Sequence, residues 1–161
     1  MRRPLTAFFV TALFAASLAL GAAAASAAED APAGTRVLET GKSFAALVES
    51  LDAAVEASEF AVVTRASASA GAAKRGVTIP GNMVVGVYRN DYAVRMLEAS
   101  VPAGIEAPIR FYLTENADGT ATLSYRPPSV VFAPYGSAAL NQMAEELDAV
   151  FEKIADAAAA D

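Results

Sequence analysis

Any chemistry in this chain must start from arginines, tyrosines, carboxylates, lysines or hydroxyls, because its 161 residues include no His and no Cys. That removes Ser-His-Asp triads, cysteine nucleophiles, thiolate or imidazole zinc sites and the usual haem ligands. Three places hold what remains. Arg89-Asn90-Asp91-Tyr92, with Arg95 one turn further on, lies where a strand pattern gives way to a helix pattern. A helix N-terminus presents unpaired amides and positive potential, so arginines beside it suit an anion. Asp91 in the same turn opposes an anion and can satisfy the helix end by itself, so a structural role competes.

The second place is a strand pair carrying Arg110, Tyr112, Tyr125 and Arg126. An exposed face with these groups would receive a carboxylate or an aromatic ring. The competing reading makes Arg110 and Tyr112 a solvated face and Tyr125 core. Arg89, Arg95 and Arg110 are thus the anion-binding candidates. The third place is Val130-Val131-Phe132-Ala133-Pro134-Tyr135, an unusually apolar connection. Connections are normally polar, so this one must pack under a helix, cover a pocket or meet a partner. Val131, Phe132 and Tyr135 are the ligand or interface candidates.

No residue qualifies as catalytic. Glu98 and Glu106 flank a Pro-Gly turn and Glu145-Glu146 sit together on a helix pattern, so no carboxylate pair brackets a substrate. Asn116-Ala117-Asp118-Gly119 supplies too few oxygens for Ca²⁺. No metal and no cofactor are expected.

These groups must be positioned by elements that the spacing of apolar residues predicts. A short strand over Thr35–Thr40 should break at Gly41-Lys42. Ser43 is placed to cap a helix whose Phe44, Leu47, Val48, Leu51 and Val55 share one face, with Glu49, Asp52, Glu56 and Glu59 on the solvated side. Phe60–Arg65 reads as a strand, and Ala66–Pro80 as a loop with one helical turn near Ala72–Arg75. Met83–Arg89 is the next strand, where Gly86 marks a bulge or a close backbone approach. Asn90 is expected to cap a helix that buries Tyr92, Ala93, Met96 and Leu97 and ends at Pro102 and Gly104. Ile109, Phe111 and Leu113 then alternate with polar residues, turn at 115–119, and return through Ala121, Leu123 and Tyr125 as an antiparallel hairpin. After Pro127-Pro128, Ser137 should cap a last helix with Leu140, Met143, Leu147, Phe151 and Ile154 on its stripe. Residues 157–161 should fray.

The order β-α-β-β-α-β-β-α predicts an α+β two-layer sandwich over residues 35–156, a curved antiparallel sheet backed by helices. Ahead of it, Arg2-Arg3, the apolar run 5–20 and Ala25-Ser26-Ala27 form a secretory signal peptide, cleaved after Ala27 or Ala28. Residues 28–34 read as a flexible lead-in. The expected product is a periplasmic or secreted domain with no membrane anchor. The chain has a net charge of −6, and losing Arg2 and Arg3 makes it two units more negative. That balance argues against nucleic acid and anionic membranes.

Most of this span also resembles a known family. Phe60-Ala61-Val62-Val63-Thr64 directly after a helix, Gly86 in its strand and Ala93–Ala99 lead into Ile105-Glu106-Ala107-Pro108-Ile109-Arg110. Leu123-Ser124-Tyr125-Arg126-Pro127-Pro128 and the closing helix complete the order. Over about 44–155 this is similar to the bacterial family catalogued as domain of unknown function 302. The resemblance implies a compact α+β domain with a curved antiparallel sheet, and it implies no reaction. Many members carry a His near the positions of Ser67 and Ala68, and others carry Asn-Pro where this chain has Val87-Tyr88. This chain therefore lacks any site built on that His.

The expected function is a binding or interaction module that holds an apolar small ligand, or a second copy as a homodimer, near Val130–Tyr135. Two alternatives stand beside it. One is a carboxylate- or Tyr-based enzyme acting on a small anionic substrate, and the other is an envelope scaffolding factor.

Overall fold

In this computed structural model the described residues are 31–160. The expected signal peptide, both cleavage positions and Asp161 lie outside them. Five strands are joined by five helices: β1 (Arg36–Ser43), α1 (Phe44–Ala57), β2 (Ala61–Ala66), α2 (Ala68–Ala73), β3 (Asn82–Tyr88), α3 (Asn90–Ala99), β4 (Ile109–Glu115), β5 (Thr120–Tyr125), α4 (Pro128–Phe132) and α5 (Ala138–Ala159). Two 3-10 segments, Val101–Glu106 and Ala133–Tyr135, complete the chain. The α+β class and the antiparallel sheet are as expected.

The sheet order is β1-β5-β4-β3-β2, with every neighbouring pair antiparallel. Strands β2 to β5 form a meander, and β1 closes the far edge. Consecutive strands β1 and β2 therefore sit four spacings apart, roughly 19 Å. Helix α1, with 14 residues, is about 21 Å long and makes that crossing over one sheet face. The Ser43 hydroxyl accepts from the Ala46 amide and starts it as predicted. Leu47, Leu51, Ala54 and Val55 are its buried side.

Register explains which side chains go inward. Phe111 pairs with Tyr125 and with Val85, while Leu113 pairs with Leu123 and with Met83. These residues face α1 and α5, so the alternating pattern becomes a core on one face of the sheet. Helix α5 supplies the other half with Leu140, Met143, Ala144, Leu147, Phe151 and Ile154, all buried. The Phe111 and Phe151 rings stack with centroids 5.1 Å apart, and Tyr125 lies 5.2 Å from Phe111. The opposite sheet face leaves Arg110 and Tyr112 to solvent.

Gly86 marks both features its position allowed. Val62 pairs with Val87 but Thr64 pairs with Gly86, so β2 bulges opposite it. A Cβ on Gly86 would run into the Thr64 hydroxyl and come within 2.7 Å of Pro108.

Several boundaries differ from the sequence reading. β1 does not stop at Gly41-Lys42 but continues to Ser43 through an irregularity after Thr40, because pairing with β5 outweighs the local breaker. Residues 68–73 are helical, one turn earlier than expected, because the Ser67 hydroxyl caps the Ala70 amide. Arg89, not Asn90, is the N-cap of α3, and no side chain caps it. Leu97 is exposed; from α3 Ala93 and Met96 are buried, with Tyr92 and Ala99 half-buried against the core. The apolar stretch 128–135 is a helical turn and a 3-10 turn and not an irregular connection. Helix α5 runs past Ala157 to Ala159, held by Ala158, which is fully buried. Within the lead-in, the Thr35 amide donates to the Pro32 carbonyl, and Gly34 rests on Val130.

Candidate functional site

The three sequence candidates separate in the fold, and one of them opens into a cleft. Strand β3 ends at Tyr88 and α3 begins at Asn90, so Arg89 is held extended at the junction, with φ −141°. From there its guanidinium reaches over two aromatic rings, 4.4 Å from the Tyr92 centroid and 4.9 Å from that of Phe60. Its Nε and Nη2 donate to the two Asp91 oxygens at 2.8 and 3.0 Å. The hydrogen bonds to Asp91 hold the Arg89 pKa above its ordinary value, and those from Arg89 hold the Asp91 carboxyl below its own.

Beneath this cation lies a cleft of about 30 Å³. Tyr92, Ala93 and Met96 come from α3, Met143, Leu147 and Phe151 from α5, and Phe132 from α4; Phe60, Val87, Tyr88, Ala107 and Ile109 complete it. The volume suffices for about two water molecules, so any larger guest must move side chains. Met96 and Met143 are the adaptable ones, being unbranched and polarizable. Among the described residues no carboxylate lines the cleft, and the Tyr88 hydroxyl is 3.3 Å from Asn90 Oδ1. Chemically, the arrangement can hold an apolar body under a guanidinium.

The remaining sequence candidates divide around this cleft. Phe132 is in its lining and 1% exposed. Val131 is half-buried against the core. Tyr135 lies outside the lining, and its hydroxyl donates to Glu106 at 2.9 Å. That hydrogen bond and partial desolvation raise the Tyr135 pKa above its ordinary value. Arg95 approaches the outer side of the Tyr92 ring at 5.2 Å but pairs with Glu146 through 2.7 and 3.0 Å bonds. Arg110 stands on the exposed sheet face, 3.9 Å from Glu106. The three arginines therefore form no common anion site, and each already faces a carboxylate.

Sequence reasoning missed Phe60, Met96, Met143, Leu147 and Phe151 as site residues, because their helix and strand periodicity marks them only as core. The available signal was Arg89 between two segments bearing aromatics, but which aromatics it covers depends on β2 and α3 meeting.

No curated protein matches the chain. Among solved structures, it is similar to the crystal structure of an uncharacterized conserved DUF302 protein from Bacillus stearothermophilus, with a TM-score of 0.71 and 15% identity. The match covers 79% of this chain and 99% of that one, and at that identity it speaks for the fold alone. Residues 36–160 also match the family described as domain of unknown function DUF302. With that span running from the first strand to the end of α5, the chain belongs to the DUF302 family.

Proposed function

We propose that this DUF302 domain is an exported binding module that takes the apolar part of a small ligand into the cleft beneath Arg89. One observation carries the reading: a cleft lined by apolar and aromatic groups, with the Arg89 guanidinium stacked across its mouth. Ligand sites commonly combine an apolar lining with a few placed polar groups. Arg89 gives a carboxylate or sulfonate head a partner, provided it replaces Asp91 on the guanidinium. The ligand class is therefore an amphiphile with a short acyl or aromatic body and an anionic end.

Export rests on the charged start, apolar run and Ala25-Ser26-Ala27 of the sequence. A homodimer built on Val130–Tyr135 has less to work with, since Phe132 is spent on the core.

Octanoate and octanol are suitable probes, measured by thermal shift and calorimetry on residues 28–161. At about a hundredfold excess over Kd, a ligand specific for the folded state raises Tm by roughly 10 °C in a domain of this size. Octanoate should bind, and Ala93→Phe, which fills the cleft, should abolish binding without loss of the folded state. Failure of both probes to shift Tm sinks the proposal.

A further inference from the structure

Arg89 belongs to two cavities. Besides the apolar cleft it lines a second one of about 230 Å³, together with Ala57, Ser58, Glu59, Val150 and Lys153. This second cavity holds charges that the first lacks. Glu59 and Lys153 both line it, and neither makes an ion pair with the other or elsewhere among the described residues. The Arg89 pKa, raised mainly by its hydrogen bond to Asp91, is raised further by the field of Glu59. Glu59 is therefore close enough to act on whatever Arg89 holds.

The turn that places Glu59 is uncommon for a glutamate. Helix α1 ends with the Phe60 amide donating to the Val55 carbonyl at 3.1 Å and the Glu59 amide to the Glu56 carbonyl at 2.9 Å. A helix end of this kind puts one residue in the left-handed region, where glycine is the usual occupant. Glu59 takes that position, with φ 61°. Its carboxylate thereby lines the cavity beside the negative end of the α1 dipole.

A plain anion on Arg89 meets opposition here. A carboxylate that replaces Asp91 on the guanidinium enters the field of Glu59 and of the α1 C-terminus, and both repel it. Lys153 offsets part of this. An ammonium next to the ligand's carboxylate turns the remaining repulsion into attraction. Taking the cleft beneath Arg89 as the ligand site, on which this rests, we propose that the ligand is an α-amino acid with an apolar side chain. The side chain enters the cleft, Arg89 and Lys153 take the carboxylate, and Glu59 takes the ammonium.

The test uses residues 28–161 with 2-aminooctanoate, octanoate and octylamine, which share a chain length, by calorimetry and amide NMR. 2-Aminooctanoate should bind about tenfold more tightly than octanoate, the effect of one added charge-assisted bond, and octylamine should bind most weakly. It should also shift the amides of residues 57–59 more than octanoate does. Glu59→Gln, a change of matched shape at an exposed position, should erase the preference without weakening octanoate. Lys153→Gln, on the exposed side of α5, should weaken both carboxylates. If 2-aminooctanoate binds no more tightly than octanoate, or its advantage survives Glu59→Gln, the amino acid assignment falls and the cleft reading stands. Unchanged affinities in Lys153→Gln would remove the second cavity from the site and overturn the assignment as well. Octylamine binding most tightly, or no binding by any of the three, would overturn both readings.

Discussion

The segments 87–96 and 128–135 both put aromatic and aliphatic side chains next to chain breaks, yet they end in different roles. The second is more apolar, and its Phe132 is almost completely buried. The first keeps Arg89 and Tyr92 at the surface, and the cleft opens there. A hydrophobic stretch between two elements is most readily consumed by the core, because burying a Phe side chain contributes about 2–3 kcal/mol. A binding mouth needs apolar surface that cannot all be buried. At 87–96 that condition is met because a charged group stacked on the rings keeps one end wet.

Phe132→Ala tests the comparison hardest. If segment 128–135 is core, the variant should lose about 3–5 kcal/mol of unfolding free energy, read by urea denaturation. A loss below about 1 kcal/mol would return the segment to the role of a dispensable lid. Arg89→Gln should have a smaller effect on stability and a large one on binding. Octanoate affinity should fall about tenfold while octanol is little changed, the loss expected when a charge-assisted pair is removed. Equal losses for both probes would mean that Arg89 shapes the cleft without recognising the anion.

Tyr135→Phe comes next. Since the Tyr135 pKa is raised by its bond to Glu106, its contribution is present below the ordinary tyrosine value near 10 and lost as pH rises through the folded-state value. The variant should be slightly less stable than the parent at neutral pH and converge with it at strongly alkaline pH, which flattens the alkaline limb of the stability profile. Glu146→Gln should be the mildest. Arg95 lowers the Glu146 pKa, so the pair adds stability above the ordinary carboxylate range that is lost as pH falls through the lowered value. Removing it should reduce acid sensitivity slightly, as fits an exposed pair. An effect rivalling Phe132→Ala would show that Arg95 and Tyr92 hold the cleft open.

Much of the frame was legible because its signals are local. Ser43 and Ser137 cap α1 and α5 where predicted, and the 109–125 alternation maps directly onto the observed register. The errors fall where a distant partner decided. β1 passes through Gly41 because β5 is beside it, and α5 continues past Ala157 because Ala158 is buried against the core. Arg95 looked available for an anion until Glu146, 51 residues later, proved to be its partner.

What the sequence determined by itself is the kind of chain this is: no His and no Cys, amphipathic helices and an antiparallel hairpin. Those properties depend on residue type and on periodicities of 2 and 3.6, which are complete within a dozen residues. Only the tertiary structure decided that Phe60, Tyr92 and Phe151 meet under Arg89 and that β1 and β2 lie at opposite edges of the sheet. Both depend on the crossing of α1, which separates consecutive strands to opposite edges, and a contact between segments far apart in sequence leaves no periodic trace in either of them.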